Sequence, residues 1–491
     1  MHAPRIADDH LTNADLAPVP MDQRTWSLWS YAALWTSMAA CIPTYMLASS
    51  LITAGMNWWQ AVLTVFLGNV IVLIPMMLNA HAGTKYGIPF PVYCRASFGT
   101  LGANLPALLR ALVACGWFGI QTWIGGAAIH KVLAVFVPSI ATGTPWPALG
   151  ITGSELACFL FFWGINMWVI YRGIHTIRLL LLIKAPLLVA LGLFLLWWSY
   201  SRAGGFGPML AAPSAFDRGQ PQEGKFLSVF IPSLTGMVGF WATLSLNIPD
   251  FSRYARSQKD QMLGQASGLP ATMALYSFIG VAVTSATLVI FKDIKKPLWD
   301  PVDVLTRFKN PVVLVVSMLA ICVATLATNI AANVVSPAND FANLAPRKIS
   351  FRTGGFITGI IGVLMMPWRL IALPSGYIFT WLVGYSALLG PIAGIMIADY
   401  FVIRRCKLDA DDLYRSEGIY RYHSGFSYAG IGAFILAALP SLPGFLVQTG
   451  VIANTHSTFT AIYQQAWFVG FGLAFVLYLL FRKLSPAAVK L

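Results

Sequence analysis

The chain is organised around the stretch LGANLPALLRALVACGWFGIQTWIGGAAI (residues 101–129). It is almost wholly apolar and exceeds the ~20 helical residues that cross a bilayer. Trp117 and Gln121 stand four residues apart, so a helix places them on one face. An aromatic ring beside a carboxamide at mid-membrane depth suits a planar ligand that carries amide groups. The alternative interpretation is structural, with Trp117 packing and Gln121 bonding a neighbouring helix.

The composition around this stretch is that of a polytopic membrane protein. Of the 491 residues, 57% are hydrophobic and only 10% are charged, whereas soluble domains carry roughly 25% charged residues. We predict an all-α membrane protein of twelve transmembrane helices without an inserted soluble domain. The predicted spans cover residues 28–52, 58–80, 104–134, 150–170, 176–198, 227–248, 267–291, 311–338, 354–372, 376–400, 427–447 and 461–482.

The net charge of +14 follows the membrane topology. Basic residues are concentrated in segments on one side of the predicted spans, as at Arg253, Arg404, Arg405 and Arg482. Cytoplasmic loops carry such an excess of Lys and Arg. We therefore predict a multi-pass protein of the cell membrane with both termini cytoplasmic, no cleaved signal peptide, and the lipid bilayer rather than nucleic acid as its partner.

Two spans carry signals for a broken helix. The first span contains Cys41-Ile42-Pro43 at its middle, and proline removes a backbone donor and clashes with the preceding turn. The sixth span contains Gly236 and Gly239, which flank Met237-Val238, and Trp241 follows two residues after Gly239. Interrupted helices at matching positions in two halves of a chain point to an inverted-repeat transporter with its site at the midplane. A simple kink is the alternative at each position.

The eighth span places Thr325, Thr328, Asn329 and Asn333 within one run. Hydroxyls and free carbonyls are ligands for a small hard cation, and the two asparagines suit the amides of a substrate. Bonding between helices is the alternative role. The interiors of the first, third, sixth, eighth and tenth predicted spans contain no Asp or Glu, which predicts a neutral ligand. No catalytic motif or metal-ligand cluster is present, so we predict that the chain is not an enzyme.

Several motifs together resemble the nucleobase:cation symporter-1 family. They are ALVACGWFGIQTWIGG (residues 111–126), GFWATLSLNIPDFSRYA (239–255), ATNIAANVVSPA (327–338), LMMPW (364–368) and GPIAGIMIADYFVIRR (390–405). CIPTYMLASSLITAGMNWWQA (41–61) and GTKYGIPFPVYCRASFG (83–99) resemble its bacterial allantoin permease branch. The resemblance runs from the first span to about residue 425.

The resemblance implies a five-plus-five inverted repeat of the leucine-transporter type with two added C-terminal helices. The corresponding organisation is a cytoplasmic tail (1–27), a transport core (28–400, with repeats 28–198 and 227–400), a cytoplasmic loop (401–426), two accessory helices (427–482) and a final cytoplasmic tail (483–491). Helices of spans 1, 2, 6 and 7 are then expected to rock against a scaffold that contains spans 3, 4, 8 and 9.

The resemblance also implies a substrate site. Trp117 and Trp241 would sandwich the ring, and Gln121 and Asn333 would bond its amide groups. Asn329 would lie beside Asn333, while Cys41 and Phe240 would line the pocket. The family's hydantoin symporter has glutamine at the position of Cys41 and glycine at that of Phe240, so hydrogen bonding and pocket volume differ here.

A sodium site is implied at Ser37, Ala40, Ala324, Ala327 and Thr328, three of which would offer only backbone carbonyls. Ala327 occupies the position of a coordinating hydroxyl in the family's hydantoin symporter. The coupling ion is therefore open between sodium and a proton, and we expect no other cofactor.

Together these features predict a secondary active transporter that imports a neutral planar ureide or nucleobase by alternating access. Allantoin is the first candidate. A permease for uracil, another nucleobase or a hydantoin is the alternative within the family. A membrane ligand sensor or a channel is the alternative from another class.

Overall fold

The structure, a computed structural model, describes residues 8–172, 174–453 and 456–484, with residues 174–185 described by their backbone only. Within these ranges the chain is helical and forms no strand. The first predicted repeat (28–198) contains α1 (Leu28–Ala39), α2 (Ile42–Thr53), α3 (Trp58–Tyr86), α4 (Phe90–Phe98), α5 (Asn104–Phe136), α6 (Gly153–Arg172) and most of α7 (Ile174–Ala203), and α8 (Phe206–Leu210) follows it.

The second predicted repeat contains α9 (Phe226–Phe240), α10 (Ala242–Asn247), α11 (Pro249–Ser252), α12 (Gln258–Ile290), α13 (Pro301–Leu305), α14 (Pro311–Asn333), α15 (Val335–Leu344), α16 (Phe351–Leu364), α17 (Pro367–Leu370) and α18 (Val383–Ile397). The chain ends with α19 (Tyr428–Ala438), α20 (Leu442–Gln448), α21 (Ser457–Gln464) and α22 (Ala466–Leu484).

The helices agree with the predicted fold class. Among the described residues, nine helical segments are long and apolar enough to cross a membrane. Three shorter apolar helices, α2, α9 and α16, lie where the first, sixth and ninth spans were predicted. The first and sixth spans are broken at the predicted places, between α1 and α2 and between α9 and α10. The all-α inverted-repeat fold is thus confirmed, and the segments are consistent with twelve spans.

Several span boundaries differ from the prediction. The ninth predicted span, 354–372, stops at Leu364, because Met366 adopts a φ of 48° and Pro367 begins α17 without a backbone donor. The tenth span opens with a π-helical segment (Gly376–Leu382) and ends with another (Ala398–Ile403), beyond its predicted end at residue 400. The eighth span is interrupted at Val334 and continues as α15.

The helices of the core form two packed groups. One group, called here the bundle, consists of α1, α2, α3, α9, α10, α11 and α12, where α12 packs on α1, α2 and α3. The other, called here the scaffold, consists of α5, α6, α14, α15 and α16, where α5 contacts the other four. The last helix, α22, packs along α18 and α19, outside both groups. The seam between bundle and scaffold contains the helix breaks.

Candidate functional site

A small cavity lies at the seam between bundle and scaffold. Its volume is about 30 Å³, which is room for one or two water molecules. The bundle contributes residues near both breaks and the scaffold contributes α5 and α14. The lining residues are Met38, Cys41, Pro43, Trp117, Gln121, Phe240, Trp241, Thr243, Leu244, Thr328, Ala332 and Asn333. Among these described residues none is charged, so the cavity combines aromatic rings with neutral polar groups.

The first break places Cys41 at the cavity. Pro43, in the first turn of α2, has no backbone N–H to donate to the end of α1, so the chain between the helices is extended, with Cys41 at φ −150° and ψ 161°. The Cys41 thiol and the Thr44 hydroxyl share a hydrogen bond of 3.2 Å. The carbonyls at the end of α1 therefore lie beside the cavity instead of inside a continuous helix.

The second break places Trp241 at the cavity. Trp241 leaves helical geometry, with φ −105° and ψ 8°, and separates α9 from α10. Gly239 lets α9 approach the tenth span closely, because a β-carbon there would stand 2.8 Å from the carbonyl oxygen of Leu382. The Tyr385 hydroxyl then donates to the Gly239 carbonyl at 2.8 Å, which satisfies a backbone group near the break.

Aromatic rings enclose the cavity by edge-to-face packing. The ring of Phe240 contacts both predicted stacking residues, with centroids 5.2 Å from Trp117 and 5.0 Å from Trp241. Trp117 also contacts Trp381 of the tenth span at 6.1 Å. Trp117 and Trp241 are almost fully buried, at 6% and 4% exposed. A planar ring can therefore enter between them only if Phe240 rotates or the two helix groups separate.

Polar groups with unmet hydrogen-bonding capacity face the same space. The side-chain oxygen of Gln121 and the indole nitrogen of Trp241 are buried, and no described residue bonds either atom. Buried polar atoms without a partner are rare in native proteins and call for an explanation. A ligand with amide donors and acceptors would satisfy both.

The two asparagines of the eighth span occupy different places. Asn333 lines the cavity, and its Nδ2 donates to Asn329 Oδ1 at 3.1 Å. Asn329 lies behind it, fully buried, and its own Nδ2 donates to the Phe118 carbonyl at 3.2 Å and to Asn166 Oδ1 at 3.1 Å. Six of the seven residues expected at the substrate site therefore line the cavity, and Asn329 contacts it only through Asn333.

The five residues expected at a cation site lie on α14 and at the end of α1, which contact each other. Thr328 lines the cavity, and its hydroxyl donates to the Ala324 carbonyl at 2.8 Å. Ala40 follows the last residue of α1, and Ala40, Ala324 and Ala327 are buried. Ser37 is partly buried in the last turn of α1. The oxygens available are neutral carbonyls and hydroxyls, the type that suits a small hard cation.

Contacts on either side of the cavity were not predicted from the sequence. On the side of α15, the Asn247 amide, oriented to satisfy its partners, accepts from Arg110 Nη2 at 3.0 Å and from the Ser336 hydroxyl. Arg110 also forms an ion pair of 3.2 Å with Asp340, and both side chains are fully buried. On the other side, the Tyr377 hydroxyl donates to the Pro43 carbonyl at 3.2 Å.

A signal for some of these contacts was present in the sequence. Arg110 stands inside the third span, where a charged residue needs a partner. Asp340 lies just past the predicted end of the eighth span. Asn166, the partner of Asn329 behind the cavity, is an isolated amide in an apolar span. Tyr377 offered no comparable signal, because tyrosine is common in membrane helices.

Comparisons with known proteins agree with this architecture. A family described as permeases for cytosine/purines, uracil, thiamine and allantoin matches residues 18–470. The purine-uracil permease NCS1 of Arabidopsis thaliana is 44% identical, over 97% of this chain and 79% of its own length. The allantoin permease of Bacillus subtilis is 41% identical, over 98% of this chain and 95% of its own.

A solved structure is similar over nearly the whole chain. It is that of Mhp1, a nucleobase-cation-symport-1 family transporter, in a closed conformation with bromovinylhydantoin bound. It aligns with a TM-score of 0.76 and 25% identity, covering 98% of each chain.

Two broken helices facing a scaffold across an uncharged cavity define a membrane transporter of the inverted-repeat class. The chain belongs to the nucleobase:cation symporter-1 family of permeases for cytosine/purines, uracil, thiamine and allantoin. The prediction of this family is confirmed. Because its members are permeases, the prediction that the chain is not an enzyme is confirmed as well.

Proposed function

We propose that this permease imports allantoin, a neutral ureide ring, in symport with a cation. The observation that carries the proposal is the cavity at the two helix breaks, where Gln121 and Asn333 offer amide groups between aromatic rings and no lining side chain is charged. Such a site favours a neutral planar molecule with several N–H and C=O groups. The similarity to the Bacillus subtilis allantoin permease, over nearly the whole of both chains, supports allantoin as that molecule.

The proposed recognition divides between stacking and hydrogen bonding. The rings of Trp117 and Trp241 would stack on the two faces of the substrate, each contact worth ~1–3 kcal/mol. Gln121 and Asn333 would bond its edge, each bond worth ~0.5–1.5 kcal/mol net. Less the cost of ordering, these contacts give a dissociation constant between about 1 mM and 1 μM. Phe240 would rotate to admit the ring, and Cys41 would border it.

The coupling ion in this proposal is a proton or sodium. Ser37 and Thr328 would supply hydroxyls, and Ala40, Ala324 and Ala327 would supply carbonyls. The hydroxyls of Ser37 and Thr328 and the uncharged carbonyls fit sodium in kind, whereas the methyl group of Ala327 leaves one ligand fewer than a hydroxyl at that position would. A weak sodium site or proton coupling follows from that difference. Removal of sodium distinguishes the two.

The proposed transport cycle uses the two helix groups. The bundle would rock against the scaffold, opening the seam first to one side and then to the other. Asn247 and Ser336 would separate when the side of α15 opens, and Tyr377 would leave Pro43 when the opposite side opens. The basic residues around α11, α15 and residues 401–426 support a cytoplasmic location for that side, with both termini in the cytoplasm of a cell-membrane protein. For this arrangement we also propose the domain boundaries predicted from the sequence, with a transport core at 28–400 and two accessory helices at 427–482.

The proposal is tested by uptake of radiolabelled allantoin into cells that express the chain. Unlabelled allantoin, uracil, cytosine and hydantoin serve as competitors, and choline replaces sodium in a parallel series. Gln121→Ala is the site variant, and Leu112→Ala, an exposed residue of the same helix, is its matched control. We expect saturable, concentrative uptake that only allantoin blocks and that Gln121→Ala reduces. Uptake equal in expressing and empty cells would refute the proposal.

Uracil is the second candidate substrate. The purine-uracil permease of Arabidopsis thaliana is as similar to this chain as the allantoin permease is. Uracil offers the same alternation of N–H and C=O along one edge of a flat ring. Uptake of labelled uracil that allantoin does not inhibit would favour this candidate and leave the fold and the cavity unchanged.

A further inference from the structure

A buried hydrogen-bond network behind the cavity joins three scaffold helices. At its centre is Asn329 on α14, which is fully buried. Its Nδ2 lies 3.1 Å from Thr122 Oγ1 and 3.2 Å from the Phe118 carbonyl, both on α5. It also lies 3.1 Å from Asn166 Oδ1 on α6. Three acceptors thus converge on an amide nitrogen that has only two hydrogens.

The direction of each bond is fixed by backbone carbonyls, which only accept. Thr122 Oγ1 donates to the Phe118 carbonyl at 2.7 Å, so the lone pairs of Thr122 face Asn329. Asn166 Nδ2 donates to the Phe162 carbonyl at 2.9 Å, so the oxygen of Asn166 faces Asn329. If the amide of Asn329 were reversed, its oxygen would meet three acceptors in a buried place. The network therefore permits one orientation of Asn329.

The orientation of the Asn329 amide determines the orientation of Asn333 at the cavity. With Nδ2 of Asn329 held by α5 and α6, its Oδ1 accepts from Asn333 Nδ2 at 3.1 Å. That bond turns the side-chain oxygen of Asn333 away from Asn329. No described residue donates to this oxygen, and Asn333 lines the cavity. Asn333 thus presents an acceptor to whatever occupies the cavity.

We propose that Thr122 and Asn166 are positioning residues that set the hydrogen-bonding polarity of the substrate site. Through Asn329 they hold the oxygen of Asn333 toward the cavity, where it accepts from a ring N–H of the substrate. The inference rests on the proposed function. It deepens that function by requiring an N–H on the edge of the ring that meets Asn333.

A purely structural role explains the network less well. Helix–helix bonding needs each donor and acceptor to find one partner, and two acceptors would satisfy both hydrogens of the Asn329 amide. A third acceptor has no hydrogen of its own to bind, because both hydrogens of Nδ2 already have acceptors. It does raise the free energy of the reversed amide, in which the oxygen of Asn329 would face all three acceptors. Redundant acceptors at Asn329 serve orientation, and the oriented chain of bonds ends at the cavity.

The test compares the transported ring with its N-methyl derivatives, one for each ring nitrogen, as competitive inhibitors. The variants are Thr122→Val, which removes the hydroxyl with little change of shape, and Asn166→Leu. The conservative variant Thr122→Ser keeps the hydroxyl and is the matched control. Surface expression and the maximal rate per transporter are measured beside KM, so that a variant that fails to fold is recognised. The remaining variant of Thr122→Val and Asn166→Leu then tests the proposal.

We expect the wild type to reject methylation at one ring nitrogen at least about tenfold, since the methyl group removes the donor that Asn333 needs. In Thr122→Val or Asn166→Leu, KM for the parent ring should rise several-fold, the maximal rate should stay within about twofold, and the methylation penalty should shrink at least about threefold. Thr122→Ser should keep the wild-type penalty.

A rise in KM with an unchanged methylation penalty would overturn the positioning role, because a loosened helix interface raises KM without changing this selectivity. Unchanged KM in both variants would overturn it as well. A wild type that transports none of the rings would instead overturn the proposed function, and this inference with it.

Discussion

We predict that breaking the ion pair between Arg110 and Asp340 strongly lowers the stability of the protein. Both side chains are fully buried and lie 3.2 Å apart, Arg110 on α5 and Asp340 on α15. In Asp340→Leu the guanidinium would keep Asn247 as its side-chain hydrogen-bond partner among the described residues. Removing one member of a buried pair leaves an uncompensated charge and costs ~3–5 kcal/mol.

The double variant Arg110→Met/Asp340→Leu separates this charge effect from a packing effect. Replacing both members by apolar residues of similar volume is often close to neutral, because neither charge remains to be desolvated. We therefore expect the double variant to recover most of the stability that Asp340→Leu loses. Asp9→Ala, which breaks an exposed pair with Arg347, should cost at most ~1 kcal/mol.

The assay is thermal inactivation of the detergent-purified protein, followed by size-exclusion chromatography after heating. Asp340→Leu should lower the apparent midpoint by at least ~5 °C, the double variant should lie close to the wild type, and Asp9→Ala should be unchanged. If Asp340→Leu were as stable as the wild type, the pair would not stabilise this side of the scaffold. A double variant as unstable as the single one would show that packing, not charge, dominates.

Three further predictions concern the cavity. Trp117→Ala should reduce uptake at low substrate concentration at least about fivefold, because a stacking contact worth ~1–3 kcal/mol is lost. Leu112→Ala on the same helix should transport normally. Normal uptake by Trp117→Ala would show that Trp117 does not belong to the substrate site. Phe240→Ala should let hydantoins with bulky ring substituents compete for uptake, since Phe240 fills the space between the two tryptophans; competition profiles identical to wild type would contradict this. Thr328→Ala should weaken substrate binding only when the coupling cation is present, and Thr328→Ser should bind substrate as the wild type does. Equal weakening by Thr328→Ala with and without the cation would argue against a cation site at Thr328.

The sequence was informative wherever a local backbone constraint decides the structure. Pro43 lacks a donor and Gly239 lacks a β-carbon, so both breaks could be placed before the fold was known. Trp117 and Gln121 could be assigned to one face because helical spacing depends only on the chain itself. The apolar spans could also be located from the sequence, because their hydrophobicity is a property of the local residues alone.

Features that depend on distant partners could not be predicted in the same way. Asn329 bonds Asn166, which lies 163 residues away on another helix, and no periodicity relates the two. The π-helical segment Gly376–Leu382 has no signature in residue types. Asn329 was expected at the substrate, but in the fold its amide is occupied by the scaffold. A single sequence shows that a buried polar residue needs a partner, and only the fold shows which one.

We propose that this chain moves a neutral ring through the cavity between bundle and scaffold. Purified wild-type protein and Asn333→Ala, reconstituted into liposomes at equal density, test it most directly, with Leu319→Ala on the exposed face of the same helix as control. Under an imposed proton or sodium gradient, wild type and Leu319→Ala should accumulate labelled allantoin or uracil above the external concentration, and Asn333→Ala should not. Accumulation by Asn333→Ala at the wild-type rate would show that the ring does not pass through the cavity that Asn333 lines.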